Sequence, residues 1–438
     1  MKSPAAKKLF VMMVLEFFIW GAWLPLIFGY LPSLGFTASQ QAWILNAFPI
    51  AAIVGMFFSN QFADRNFAAE RFLAFSHLVG GLAILGCGFV TDFASFFTLM
   101  MIHCLLYVPT ISITNGIAFA NMKDASREFG IVRMGGTIGW ILAAWPFTFI
   151  LVDWAKVDAA NTKGIVDWIG AVLANGLTGE ALKAATKWTF VVSGTASVLL
   201  AIFSLSLPHT PAKPAAAGEG KLAWLQTLKF LKHPFILVLW IVALMDSFVH
   251  NCYFNWTGSF LGTKTELGGV GIPGNWIMPV MSVGQVAEIL TMFILGATLK
   301  NLGWRWTLII GVLGHAARFL VYAYMPGSAA MIVTVQILHG ICYAFFFATV
   351  YIFVDKYFPK DARSSAQGLF NVVILGVGAL IANSWCPYLI QETFTKNGIT
   401  DFKSLFLLPA GCAFAAAVIL LIAFWPPKDL DAPAEVSH

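Results

Sequence analysis

Leu207-Pro208-His209-Thr210-Pro211-Ala212-Lys213-Pro214-Ala215-Ala216-Ala217-Gly218-Glu219-Gly220-Lys221 opens a polar stretch that runs on to His233, midway along a chain that is otherwise mostly apolar. Three prolines, an alanine run and the lysines Lys213, Lys221, Lys229 and Lys232 fit a semi-extended connector with at most a short surface helix. On either side the sequence falls into apolar runs of about 20 residues or more, the length that crosses a hydrocarbon core. Six precede the connector, at 8–31, 40–63, 71–92, 94–120, 131–152 and 187–207. Six follow it, at 234–261, 275–299, 304–325, 328–354, 364–391 and 402–425. The expected fold is therefore an all-α membrane protein of twelve transmembrane helices in two six-helix halves, 1–207 and 234–438, joined by a linker at 208–233.

Composition agrees. Of 438 residues, 59% are hydrophobic and 11% charged, with a mean hydropathy of +0.80. A soluble domain carries about 25% charged residues, so a soluble enzyme is excluded. The 40 Phe and 16 Trp exclude disorder. The net charge of +5 needs no nucleic-acid partner, because basic residues in membrane proteins mark cytoplasmic loops. With both termini inside, 17 of the 26 Lys and Arg are cytoplasmic and seven are outside, while Arg133 and Arg318 fall within segments. An N-in, C-in orientation follows. The first apolar run is too long for a signal peptide and is expected to be the first span. The six cysteines lie in apolar runs without metal spacing and are expected to be small buried residues. No metal or cofactor is expected. The sizeable outer loop, an insertion at 153–186, carries Trp168-Ile169 and Val172-Leu173, which suggest a short amphipathic helix on the outer surface.

Two loops repeat a pattern. Asn60-Gln61-Phe62-Ala63-Asp64-Arg65 and Gly296-Ala297-Thr298-Leu299-Lys300-Asn301-Leu302-Gly303-Trp304-Arg305 resemble the two copies of the major facilitator superfamily loop signature, G-x-x-x-D-R/K-x-G-R-R/K. The first keeps the acid-base pair Asp64 and Arg65, expected to act as a gating loop. The second keeps Gly296, Gly303 and a basic end, with Lys300 in place of the acid. Two six-helix halves with a midplane site are the pattern of alternating access.

Charged groups at membrane depth cost roughly 2.5 to 3.5 kcal/mol each on insertion scales and mark function by default. Here they are Glu16, Arg133, Asp246, Glu288 and Arg318. Arg133, Thr137 and Trp140 share one helix stripe, as do Gln285 with Glu288 and His339 with Tyr343. Polar groups beside aromatic plates suit a ligand planar on one side and hydroxylated on the other. The plainer alternative is that these atoms only bond neighbouring helices; for Arg318 it is a structural ion pair or a base snorkelling to the interface.

Seven collinear motifs then resemble the bacterial nucleoside:proton symporter family within the major facilitator superfamily. They are Trp20-Gly21-Ala22-Trp23-Leu24, Tyr107-Val108-Pro109-Thr110 with Asn115, Arg133-Met134-Gly135-Gly136-Thr137-Ile138-Gly139-Trp140, Leu207-Pro208-His209-Thr210-Pro211, Gln285-Val286-Ala287-Glu288, Arg363-Ser364-Ser365-Ala366-Gln367-Gly368 and Asn397-Gly398-Ile399-Thr400-Asp401. The resemblance implies that Arg133, Thr137, Trp140, Gln285 and Glu288 contact a nucleoside, with Asn251 or Asn255 supplying an amide and His339 and Tyr343 at the aromatic positions. It also marks a departure. The family's aspartate in the tenth segment, tied to proton coupling, is Ala344 in Tyr343-Ala344-Phe345-Phe346, and the preceding site tyrosine is His339. Proton coupling would then fall to Glu288, Asp246, Glu16 or His339, or be lost. The expectation is a monomeric importer of nucleosides or closely related solutes, driven by protons, in the bacterial inner membrane. The rivals are a transporter of a sugar, peptidoglycan fragment or drug in the same fold, an uncoupled facilitator, and a membrane sensor, for which no signalling domain is present.

Overall fold

A backbone surrounded by lipid must satisfy its own N–H and C=O groups, so continuous apolar sequence becomes helix. The computed structural model describes residues 4–55, 66–122, 125–212, 229–358 and 363–427. Before the linker lie α1 (Pro4–Ser33), α2 (Ala38–Leu45), α3 (Ala47–Val54), α4 (Ala69–Cys87), α5 (Phe93–Asn121), α6 (Ala125–Ala144) and α7 (Phe147–Ile150). The insertion forms α8 (Trp154–Ala159), α9 (Ile165–Ala174) and α10 (Gly179–Ala185), and α11 (Lys187–Ser204) follows. After the linker come α12 (Pro234–Gly262), α13 (Gly274–Tyr324), α14 (Ala329–Val335), α15 (Ile337–Cys342), α16 (Thr349–Tyr357), α17 (Arg363–Asn371), α18 (Gly378–Tyr388) and α19 (Phe402–Ala423). A two-stranded hairpin, β1 (Thr395–Lys396) and β2 (Ile399–Thr400), precedes α19. π-helical turns at Tyr343–Ala348 and Val372–Val377 join α15 to α16 and α17 to α18.

Nine helices among the described residues are long and apolar enough to cross a membrane. Three differences from the sequence expectation have local causes. The segment at 40–63 is divided at Asn46 into α2 and α3, and its last residues, with Asp64 and Arg65 beyond them, lie outside the described residues. The segment at 131–152 begins earlier, as α6, and carries Arg127, Glu128 and Arg133. The segments at 275–299 and 304–325 are two helices that follow one another across non-helical backbone at Gly303, and they are labelled together as α13. The second signature copy thus holds the break between them, shortened to a sharp bend. Gly303 makes it with φ 71°, a left-handed conformation that glycine adopts without steric cost. Beyond it Arg305 donates to the Leu421 carbonyl and lies over the Trp425 ring, pinning the kink to α19.

Small residues set the closest packing. A Cβ on Gly139 would fall 2.0 Å from the Val14 carbonyl oxygen, so α1 and α6 touch backbone to backbone. Two apolar cores result. One gathers α1 to α5 with α11. The other gathers α12 to α19 and also takes in Ala22 and Leu26 of α1 and Ala143, Ala144, Phe147 and Leu151 around α6 and α7. Those six residues all lie toward the end of the bundle that bears the insertion.

Hydrogen bonds at that end tie the same groups together. Asn46 donates to Ser384 Oγ at 2.9 Å and Asn383 to the Leu45 carbonyl at 3.0 Å. Trp276 Nε1 donates to the Leu173 carbonyl at 2.8 Å, the Gly274 N–H to the Leu177 carbonyl at 3.0 Å, and Asn275 to the Thr148 carbonyl at 3.3 Å. The insertion therefore clasps the start of α13. The amphipathic helix expected within it is α9, with Val172 buried against Val152 and Val157 while Ile165 and Val166 are 74% and 79% exposed. An Asn46→Cys/Ser384→Cys pair is expected to cross-link readily without solute and to stop transport until reduced. Free transport by the cross-linked protein would mean this end need not open.

Candidate functional site

Arg133 and Thr137 of the α6 stripe come close to Glu288 of the α13 stripe between the two groups of helices. The Thr137 hydroxyl and the Arg133 guanidinium both lie within electrostatic reach of the Glu288 carboxyl. Arg133, Thr137, Trp140 and Glu288 are half-buried, as expected of groups that face a cavity rather than a core. The Arg133 guanidinium sits 4.3 Å above the Phe17 ring, held by cation–π attraction. Gln285, one turn before Glu288, is buried with Oε1 unpartnered. Tyr343 feels the charges of both Glu288 and Arg133.

An aromatic wall continues from this polar edge. Trp140 stands edge-on to Trp20 at 5.2 Å and to Phe254 at 6.1 Å, and Trp20 stacks on Phe48 at 4.6 Å. Gly21 makes the room: a Cβ there would lie 3.2 Å from the Trp140 ring. Trp20 Nε1 is buried without a partner. Half-buried rings beside an arginine fork, a carboxyl, a hydroxyl and an amide can pack against a planar heterocycle while the polar groups hydrogen-bond its hydroxylated part. Sequence reading named Trp140 but not Trp20, Phe17, Phe48 or Phe254 as site residues; the signal available was the aromatic run of α1, on the face later found opposite Trp140.

The remaining expected residues separate. Asn251 is half-buried on α12 and donates to the Ser247 carbonyl at 2.8 Å. Asn255 donates to Asn383 Oδ1 at 2.9 Å, which commits its amide to the clasp. His339 is buried, with Nδ1 2.8 Å from Arg318 Nη1, so it faces the interior of the second core on that side. Arg318 itself is fully buried, and among the described residues it makes no ion pair with a carboxylate; His339 and His315 hold it, so neither the expected ion pair nor snorkelling is seen there. Asp246 lies with them, 3.7 Å from His315.

Glu16 lies elsewhere, inside the first core. Its Oε2 is 2.9 Å from His77 Nε2, and its Oε1 accepts from the Thr110 hydroxyl at 2.8 Å. His77 Nδ1 meets Ser197 Oγ at 3.0 Å, and the Tyr107 hydroxyl donates to the Glu16 carbonyl at 2.7 Å. This network joins α1, α4, α5 and α11 with its polar atoms satisfied. Of the membrane histidines sequence reading named His339, although a census of titratable groups in apolar runs would also have found His77, His103, His250 and His315.

A profile of the Nucleoside H+ symporter family matches residues 3–167 and 160–429. YegT of Escherichia coli (strain K12), which is named for nucleoside transport, is 30% identical over 97% of this chain and 94% of its own. The xanthosine permease of the same organism is 24% identical, covering 99% of this chain and 98% of its own. A crystal structure of the nucleoside transporter NupG, an aspartate-to-alanine mutant, superposes with a TM-score of 0.79 at 23% identity, covering 96% of this chain and all of that one. The architecture is the major facilitator fold of a membrane transporter and not of an enzyme. With its polar stripes meeting across the two helix groups, this chain belongs to the Nucleoside H+ symporter family.

Proposed function

We propose that the protein imports nucleosides together with protons across the bacterial inner membrane, as a monomer, by alternating access. Twelve helices form two halves, 1–207 and 234–438, with both termini in the cytoplasm, the linker at 208–233 on that side and the insertion at 153–186 outside. The observation that carries this reading is the approach of Arg133 and Thr137 to Glu288, with Trp140 of the same α6 stripe set in an aromatic wall. Trp140, Trp20 and Phe254 stack the base, while Arg133, Thr137, Gln285 and Glu288 hold the ribose hydroxyls and polar base edge. Asn251 and Tyr343 complete the lining. Relatives named as nucleoside and xanthosine permeases support the substrate class. The insertion-end clasp corresponds to a state closed to the outside, from which solute leaves to the cytoplasm. His339 contributes through Arg318 and the ring stack on His250 rather than by touching the ribose.

Proteoliposomes offered labelled uridine, adenosine, xanthosine, glucose and a muropeptide, with and without an inward proton gradient, test this directly. Nucleoside accumulation that requires the gradient is expected. Uptake of only the sugar or muropeptide would move the substrate class. Equilibration of a nucleoside without accumulation would make the protein a facilitator.

A further inference from the structure

We propose that Asp246 and His315 form the proton-carrying site, with Arg318 as its fixed counter-charge and His250 and His339 between it and the solute cavity. The inference rests on the proton-coupled reading above and names the group that carries the proton.

The first observation is a concentration of unmet hydrogen bonds. Asp246 Oδ1 and Oδ2, His250 Nδ1, His315 Nε2 and Arg318 Nε are all buried without partners, and Asp246, His315 and Arg318 are 0% exposed. Buried polar atoms are almost always paired, and each exception calls for a cause. Five in one cluster of two helices form a site built to receive something small. The Glu16 network is the internal control. It is equally buried, also joins an acid to a histidine, and has Glu16 and His77 bonded on both sides, as a structural device should be.

The second observation fixes proton positions. Arg318 can only donate. Its Nη1 is 2.8 Å from His339 Nδ1 and its Nη2 is 2.9 Å from His315 Nδ1. Both imidazoles therefore accept at Nδ1 and carry their single proton on Nε2. For His315 that N–H faces Asp246 Oδ2 at 3.7 Å. This is too long for a hydrogen bond, and a sub-ångström shift of α12 against α13 would close it. An ionised Asp246 draws the His315 N–H in; when Asp246 takes a proton on one oxygen, the pair relaxes apart. The step is a single protonation: one O–H bond forms on entry and the same bond breaks on release. Arg318 keeps its charge, so the Asp246–Arg318 cluster alternates between zero and +1, and one proton moves per cycle.

The third observation is a route. His250 is one turn from Asp246 on α12 and half-buried on the cavity side. Its ring stacks on His339 at 5.0 Å, meets His315 edge-on at 5.7 Å, and touches Phe254 and Tyr343 of the solute wall. The titratable and charged groups around Asp246 are thus His250 on α12, His315 and Arg318 on α13, His339 and Cys342 on α15, and Cys412 on α19, with the Tyr253 ring 4.1 Å from the guanidinium.

The test uses the full-length protein in proteoliposomes with labelled uridine. Asp246→Asn is expected to cut accumulation driven by a proton gradient by more than roughly tenfold while slowing uridine counterflow by less than about threefold, the split expected when coupling rather than solute affinity is lost. His315→Asn should do the same, and Asp246→Glu should recover accumulation with a shifted pH profile. Asp246→Asn accumulating at the wild-type level, or loss confined to Glu288→Gln, would overturn the proposal. Should Asp246→Asn abolish counterflow too, infrared titration of the wild-type protein decides. A carboxyl band that titrates without solute and is missing from Asp246→Asn supports the site, and its absence from the wild type refutes it. A wild type that exchanges no nucleoside but shows that band would remove the substrate reading and leave the proton site standing.

Discussion

Arg133→Ala is expected to abolish measurable nucleoside binding. The guanidinium is half-buried, fixed over Phe17 and close against Gly136, where any Cβ would collide with it. It is a cation within electrostatic reach of Glu288, so its loss removes positive charge from beside that carboxyl. A hydrogen bond to a charged group contributes about 1.5–3 kcal/mol, a guanidinium fork makes two of them, and about 1.4 kcal/mol is a factor of ten. Affinity should therefore fall by at least two orders of magnitude when the fork that would grip a hydroxylated ligand is lost. Arg133→Lys should fail nearly as badly, since an ammonium neither forks nor stacks on Phe17. Uridine binding by titration calorimetry, with a melting curve to show that the variants fold, reads both. Unchanged affinity in Arg133→Ala would remove Arg133 from the site.

Much of this architecture was legible because the membrane punishes exceptions. Apolar runs of spanning length located the helices, and charges inside them located Arg133 and Glu288, which the fold brings together. What could not be read depends on contacts distant in sequence. Nothing local separates Glu16, hydrogen-bonded by His77 and Thr110, from Asp246, left unpaired beside His315; both are single acids in apolar helices. Arg318 looked like an ion-pair partner because its true partners, His315 three residues away and His339 on another helix, were not counted as membrane charges. Asn255 and Asn251 differ only by one turn, yet Asn383 claims the first. The break at Gly303 between the two segments was legible, because glycine at the end of an apolar run marks where a helix stops; how sharply the chain bends there was not.

Glu16→Ala is expected to be the most destabilising of the acid substitutions and to leave the coupling mechanism intact in whatever protein folds. Glu16 is fully buried where α1, α4 and α5 converge, with one oxygen on His77 and the other on Thr110, and His77 passes the connection to Ser197 on α11. Truncation strands an imidazole, and a hydroxyl loses one of its two acceptors, for a loss of about 3–5 kcal/mol if the pair is ionic and less if it is neutral. His77→Ala should cost a similar amount, and the double variant little more than either, because neighbours in one network are not additive. Glu16→Gln keeps an acceptor for Thr110 and offers an N–H to His77 in its other tautomer, so it should melt near the wild type and accumulate uridine against a proton gradient. Thermal melting in detergent and gradient-driven uptake separate these outcomes. A Glu16→Gln protein that melts normally but has lost accumulation would mean that the proton passes through the first core, and that the saturated network, rather than the unsatisfied cluster around Asp246, is the coupling device.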